Sequence, residues 1–435
     1  NADVLEHVQY FDGLGRPIQQ INIKQSPERN DLINHSDYDA FGRQTKQYLP
    51  YPATGNRGSY RTTNQPSAIQ TYYKQNYPED FTNTPTANTN PYSETLLENS
   101  PLNRTLKQAA PGADWKMGSG HEIQFSYTNN TTQEVRVFTV AFTANNTKQP
   151  TLSGGSLFYP AGTLTKTITK DENHDGSTTK LHTTEEFTNK QGQTLLKRTY
   201  AAIGSPSTVT AHDTYYVYDD FGNLTYVLPP KTTPANGIST SELNELCYQY
   251  KYDHRNRLIE KKIPGKGVEY IIYNKLDQPV MTQDALLRAN NQWLVTKYDP
   301  FGRVAYTTIH TQTSNAIVSR ETMQGYADNN PYPSQYETRS SNALPQNGTA
   351  LYYTNNSIPQ GGNEIHTINY YDSYANFDKA GFTLPAAAVT NVQGLATASK
   401  VRVLGTPSTG SGQAHWITTL MGYDTKGRLI WSGTY

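Results

Sequence analysis

The residues best placed by type and spacing to do chemistry lie in DENHDGSTTKLH, Asp171 to His182. Asp171, Asn173 and Asp175 stand at the intervals of the first three oxygen ligands of a calcium loop, with Gly176 at the position of its sharp turn. The twelfth place, where a bidentate Glu would close the site, holds His182. The flanks TLTKTIT and TKLHTTEEF read as strands, whereas a calcium loop of this kind sits between helices. The segment therefore predicts a polar hairpin turn. Calcium is the alternative, with Glu185 or Glu186 closing the site only in a different loop geometry.

Other candidates are weaker. Cys247 is the single cysteine, so neither an internal disulfide nor a CxxC pair can form, and it is read as a small buried hydrophobe. HExxH, P-loop and GxSxG patterns are absent. GLGRPI near Gly13 begins like a dinucleotide loop but lacks the third Gly and a following helix pattern. Asp219–Asp220 and Glu185–Glu186 are sequence neighbours, which on a strand point to opposite faces and make poor acid/base pairs. The ten histidines are scattered, and His254 falls at an exposed turn position. Trp115, Trp293, Trp416 and Trp431 could stack on sugar rings, but packing roles are expected for most. No catalytic residue, cofactor or resident metal is assigned, and the chain is read as a non-enzyme.

The elements that must hold these residues are announced by a repeat. Its clearest copies are YDAFGRQ (Tyr38), YDDFGNL (Tyr218), YDHRNRL (Tyr252), YDPFGRV (Tyr298) and YDTKGRL (Tyr423). FDGLGRP (Phe11), YNKLDQP (Tyr273) and NKQGQTL (Asn189) are worn versions. Each copy reads as a β-hairpin. A strand-like run ends at Tyr, and Asp can then accept from backbone N–H groups two residues on. Two loose residues lead to Gly or Asn, which tolerate positive φ. Arg and an apolar residue begin the return strand. This is a type I turn closed by a left-handed residue. The predicted turn formers are Asp12, Gly15, Asp39, Gly42, Asp219, Gly222, Asp253, Asn256, Asp299, Gly302, Asp424 and Gly427. Tyr and Arg flank each turn and are expected to stack on neighbouring copies. The uneven spacing of the copies fits a winding antiparallel ribbon better than a strict solenoid.

Composition agrees with that reading. Hydrophobic residues make up only 35% and mean hydropathy is −0.73, yet Tyr outnumbers Phe 33 to 12. A disordered chain would be poor in aromatics, whereas Tyr combines a β-favouring body with a polar tip. The 37 basic and 37 acidic residues balance, which argues against nucleic acid as a partner. The cluster Lys261, Lys262, Lys266 is read as a solvated hairpin end. No run reaches the length of a membrane helix, so direct membrane insertion is not expected.

The expected segments are opening repeats over 1–51, an Asn/Thr/Pro-rich excursion returning to sheet over 52–120, hairpins over 121–200, and well-formed repeats over 201–311. A polar insertion over 312–362 and further strands with a repeat over 363–435 complete one continuous shell. AIQTYYKQNY and STSELNELCYQY predict short helices, the latter with a Ser239/Glu242 capping box. Residues 325–362 are expected to form an inserted loop. The start NADVLEHVQYF has no initial Met, and the last turn lies close to the end. Both lead us to expect an excerpt of a longer chain.

The YDxxGR copies resemble the YD-repeat, or Rhs, family. The opening VQYFDGLGRPIQ and phrases such as PGADW, TKDENHDG, YVLPP, NRLIEKKIPGKGVEYIIYN and GLATASKVRVLG resemble Rhs proteins of the Bacteroidota type across nearly the whole chain. The resemblance implies an all-β fold: an antiparallel hairpin ribbon winding into a curved shell or partial cocoon, with a few short helices and long polar loops. It also implies a structural segment of a large exported bacterial protein, secreted or at the cell surface, with the type IX route as the expected path of export. Such a shell would enclose or display a C-terminal effector. The partners it implies are the C-terminal remainder of the same polypeptide, with secretion machinery or outer-membrane carrier proteins beside it. An adhesin or glycan-binding module on the same scaffold is the alternative. Family toxins are often released by aspartate-dependent self-cleavage in a core segment after the repeats. DPFGR at Asp299–Arg303 has matching letters but sits mid-array with Tyr298 in the repeat slot, so it is read as an ordinary turn.

Overall fold

In a computed structural model of the chain, the described residues are 5–435 except 56, 144–145, 205–207, 313–318, 330–333, 347–348, 362–363 and 405–414. The chain forms two compact units: Asn1–Phe138, Gly154–Val217 and Leu228–Ile238 make the first, and Thr139–Ser153, Tyr218–Val227 and Ser239–Tyr435 make the second.

The first unit opens with a four-stranded antiparallel sheet, in order His7–Phe11, Pro17–Asn22, Asp31–His35 and Tyr51–Ala53. Helix α1, Gln65–Asn76, covers it and buries Ile69 against Ile21, Ile33 and Tyr51. Asn64 caps α1 by accepting from the Ser67 N–H, and Pro66 occupies its first turn, where a missing N–H costs nothing. AIQTYYKQNY therefore lies in this helix except for its last residue, Tyr77, which caps the C-terminus. A second antiparallel series follows, each strand pairing with the next: Lys46–Tyr48, Tyr92–Leu97, Thr105–Ala109, Ile123–Asn129, Thr165–Lys170, Thr183–Thr188, Thr194–Ile203 and Thr208–Tyr218. Arg136–Thr143 and Asn146–Phe158 form a separate two-stranded ribbon.

The second unit continues the pattern. Leu224–Leu228, Tyr248–Tyr252, Leu258–Lys262, Glu269–Tyr273, Pro279–Gln283, Gln292–Tyr298, Val304–Thr311, Glu364–Asp372, Val392–Arg402, Trp416–Tyr423 and Leu429–Thr434 pair in sequence, all antiparallel. Helix α2, Thr240–Glu245, carries the Ser239/Glu242 capping box and leads into Tyr248–Tyr252. Helix α3, Ala285–Ala289, is capped by Asp284. The core alternates with the strand period: in Gln292–Tyr298 every second residue, Trp293, Val295 and Lys297, is buried, as a sheet face packed on its neighbours requires.

Residues 325–362 depart from the expected loop. Helix α4, Arg320–Asp328, runs into this stretch, and Arg339–Gln346 pairs with Thr349–Tyr353 as a hairpin. Leu351, Tyr353 and Ile358 are buried. The composition is polar because several of its polar groups are satisfied inside the fold rather than by water. Asp219 opens the turn expected of it, with Asp220 beside it, so the opposite-face argument for a strand pair does not apply to them.

Candidate functional site

Each turn is built from one five-residue unit. At Asp12–Arg16 the Asp12 N–H donates to Arg16 O (2.9 Å) and the Gly15 N–H donates back to Asp12 O (3.0 Å). Asp12 Oδ1 accepts from the N–H groups of Leu14 (2.8 Å) and Arg16 (2.9 Å), while Oδ2 accepts from Arg16 Nε (2.8 Å). Asp39, Asp253, Asp299 and Asp424 repeat this arrangement with Arg43, Arg257, Arg303 and Arg428. Asp219 repeats it with Asn223 as the partner. In the worn copies Asn189 and Asn274 accept the same backbone donors, and their amides donate to Gln193 and Gln278. The closing residue is left-handed in all: φ is 76° at Gly15 and Gly42, 84° at Gly222, 78° at Gly302, 73° at Gly427, 57° at Asn256 and 61° at Asp277. The strand register shifts by one residue at these ends, the bulge that such a turn creates.

The electrostatics follow from those donors. The Arg16 backbone N–H holds the Asp12 carboxyl below its ordinary value against partial desolvation, helped by the Arg16 guanidinium. Asp39 and Asp424 are depressed in the same way by Arg43 and Arg428. At Asp253 burial pushes upward, but the Arg257 guanidinium and the N–H groups of Arg257 and Arg255 outweigh it.

Two contacts tie several of these turns to the next. The Tyr opening one copy donates its hydroxyl to the carbonyl just after the preceding turn. Tyr38 reaches Pro17 O (2.8 Å), Tyr252 reaches Leu224 O (2.9 Å), Tyr273 reaches Leu258 O (2.9 Å) and Tyr298 reaches Pro279 O (3.0 Å). The Arg of the earlier turn lies over that ring: Arg16 on Tyr38 at 4.4 Å, Arg257 on Tyr273 at 4.6 Å, Arg303 on Tyr371 at 4.3 Å. Such contacts contribute roughly 0.5–1 kcal/mol each at exposed sites.

A third contact was not foreseen from the motif. The last side chain of one turn overlies the left-handed residue of the next. Asn223 donates to Asn256 Oδ1 (3.2 Å), Arg257 to Asp277 Oδ1 (2.6 Å), Arg43 to Asn103 Oδ1 (2.7 Å) and Arg303 to Asp372 Oδ1 (3.0 Å). Where that position is Gly42, a Cβ would meet Arg16 Nη1 at 3.0 Å. Asn256 and Asp277, standing where other copies have Gly, were the available signal.

The other candidates are placed as follows. Asp171 Oδ1 accepts from the Asn173 N–H and Asp175 Oδ1 from the Ser177 N–H. These carboxylates therefore shape the turn, and no cluster of three or more His, Cys, Asp or Glu is set to hold a metal among the described residues. Cys247 is fully buried and burial pushes its thiol up to about 11. Trp293 is fully buried, Trp416 and Trp431 pack against a core cluster, and Trp115 is 40% exposed. Lys261 and Lys266 both pair with Glu269. Glu185 is buried against Lys166 at 3.1 Å, whereas Glu186 is half-exposed and pairs with Lys197. Among the described residues no helix is long and apolar enough to cross a membrane.

One polar cluster lies deeper than any of these. Lys297 and Glu337 have completely buried side chains and pair at 3.1 Å. The Lys297 ammonium also donates to Asn355 Oδ1 (3.2 Å), Ser357 O (2.7 Å), Ser357 Oγ (3.2 Å) and Pro359 O (2.8 Å). Glu337 Oε1 accepts from Ser357 N–H (3.0 Å) and Oγ (2.6 Å), and Oε2 from Thr354 Oγ1 and Asn356 N–H (both 2.8 Å). Burial pushes the Lys297 amine down to about 8, with the Glu337 carboxylate opposing it. Sequence reading missed this cluster. Its signal was parity: Lys297 shares the strand face of Trp293 and Val295.

Comparison with known proteins points to the same architecture. Residues 1–129 match the family model described as a domain of unknown function, DUF6443. No curated protein matches. Among solved structures the chain is similar to "TcdB2-TccC3 without hypervariable C-terminal region" (TM-score 0.51, 14% identity) and to TcdB2-TccC3-Cdc42 (TM-score 0.51, 13% identity). Each match takes in 98% of this chain and 17% of the other, so this chain spans about a sixth of the length of those chains. At such identity the likeness is one of fold alone: a mainly β chain built on a long run of antiparallel strands.

Proposed function

We propose that this chain is a load-carrying segment of a larger Rhs-type β shell that encloses or displays a C-terminal region of the same polypeptide. The observation that carries the reading is the linkage between turns. The described repeat turns are each closed by their own Asp or Asn, and several are pinned to the next copy by a Tyr hydroxyl and a stacked Arg. Such an edge offers few free backbone groups to a protease or to another strand, which suits a wall. The likeness to a chain whose described form lacks a hypervariable C-terminal region supports the reading further. In it the segment is non-catalytic, belongs to an exported bacterial protein of Bacteroidota type, and is met by secretion or outer-membrane carrier proteins during export.

The test is peptide mapping of the natural protein purified under native conditions, with protease added before and after denaturation. A cleaved C-terminal fragment that co-purifies and resists protease until the repeats unfold is the expected result. A chain continuing uncut into a surface-attachment domain, with no protected fragment, overturns enclosure and favours adhesion.

A further inference from the structure

The buried cluster around Lys297 has the components of an acyl transfer. Lys297 Nζ is within hydrogen-bond distance of the side-chain amide of Asn355 (3.2 Å to Oδ1) and of the Glu337 carboxylate (3.1 Å). The Tyr306 hydroxyl points at the same amide oxygen (3.4 Å) from the adjacent strand. We propose that Lys297 and Asn355 join as an intramolecular isopeptide bond, with Glu337 moving the protons.

The chemistry balances without any oxidant or cofactor. Glu337 Oε1 takes a proton from the Lys297 ammonium. The free amine attacks Asn355 Cγ, forming the new C–N bond, and negative charge develops on Oδ1 against the Tyr306 hydroxyl. Glu337 delivers its proton to Nδ2 and accepts the second proton from Nζ. The C–Nδ2 bond breaks and ammonia leaves, carrying Glu337's proton as ammonium. One ammonium side chain and one primary amide thus become one secondary amide and one free ammonium ion.

Three features favour the step. Lysine becomes nucleophilic when burial lowers its proton affinity, and burial does so here. Fixing amine, amide and carboxylate in one site removes the entropy of bringing them together. The product also removes a buried ammonium, whose desolvation is expensive even when paired. Glu337 does not need that cation afterwards, because it keeps the Ser357 N–H, Ser357 Oγ, Thr354 Oγ1 and Asn356 N–H as donors. The new amide N–H can donate to Ser357 O, now 2.7 Å from Nζ. The bond would fasten the hairpin excursion after Val304–Thr311 covalently to the strand Gln292–Tyr298. This proposal is independent of what the shell encloses.

Intact-mass measurement of the full chain, followed by peptide mapping, tests it. The expected result is a chain lighter than its sequence by one ammonia, with a branched peptide linking Lys297 to Asn355. Asn355→Ala should restore the sequence mass, and Asn355→Asp should lose water instead of ammonia. Glu337→Gln should leave the chain uncrosslinked. A folded wild-type chain that keeps its full sequence mass after prolonged incubation at pH 9, where the amine is largely neutral, overturns the proposal. So does a mass loss that maps to another Asn or to the N-terminus. These outcomes are read on wild-type protein and do not depend on the variants folding.

Discussion

Replacing Gly302 tests the turn model directly, because its cost can be worked out in advance. Gly302 has φ of 78°, and a Cβ added there would meet Gln278 Nε2 at 3.3 Å. That atom is the far end of a flexible side chain, so crowding costs little and backbone conformation decides. An L-residue in the left-handed region costs roughly 1–2 kcal/mol, with Ala near the lower figure and β-branched Val at or above the upper. Asn should cost least, since Asn256 and Asp277 already adopt φ of 57° and 61° at the same place. Gly302→Asn would also put an acceptor beside Gln278, as in the Asn223–Asn256 pair. One to two kcal/mol corresponds to about a 5–30-fold change in an opening equilibrium. A chain of two units is not expected to unfold in one step, so the assay should be local. Hydrogen exchange at the Asp299 amide, bonded to Arg303 O at 2.8 Å, reports opening of this turn alone. The expected order of opening is Gly, then Asn, then Ala, then Val. A Val variant that opens no faster than wild type refutes the argument, as does an Asn variant that opens like Val.

Three further outcomes follow from the same geometry. Asp253→Ala removes the acceptor of the Arg255 and Arg257 N–H groups and of Arg257 Nε. It should cost about 1–3 kcal/mol and expose 253–257 to limited proteolysis, while Asp253→Asn should be milder because Asn189 and Asn274 serve the same role. The depressed carboxyls of Asp12, Asp39, Asp253 and Asp424 bind fewer protons folded than unfolded. Their stabilisation is therefore complete above the ordinary Asp value near 3.9 and is lost as pH falls through the lower folded values. The opening constant at these turns, read from exchange divided by the intrinsic amide rate at each pH, should stay flat from pH 7 to about 4 and rise below; a rise beginning near neutrality would contradict the assignment. Cys247, buried and with its thiol raised to about 11, should react with a thiol reagent only after unfolding, and labelling in native buffer would count against its burial.

What was legible in the sequence was what is local. The Asp-x-x-Gly-Arg unit specifies its own hydrogen bonds within five residues, so the turns and the strands entering them could be read directly. Ser239 and Glu242 specify a helix start in the same way. The calcium-like spacing at Asp171–Asp175 left two readings open because Asp side chains at alternate positions also suit consecutive backbone-capping turns, which is how they are used. The Lys297 cluster was hidden because its members come from three separate segments. Polar composition over 325–362 suggested solvent, although Glu337 and Ser357 are buried with their partners. Only folding brings those partners together.

The lateral reach of each turn has a consequence for how such a chain can grow. Arg303 finds Asp372, the next left-handed corner, 69 residues further along the chain, while Arg257 finds its counterpart Asp277 only 20 residues on. The succession of corners is thus indexed by side chains rather than by the length of polypeptide between them. New segments can be grafted between two corners, and acquire contacts or chemistry of their own, without disturbing the count. A scaffold with this property can diversify by insertion while its seam stays in register.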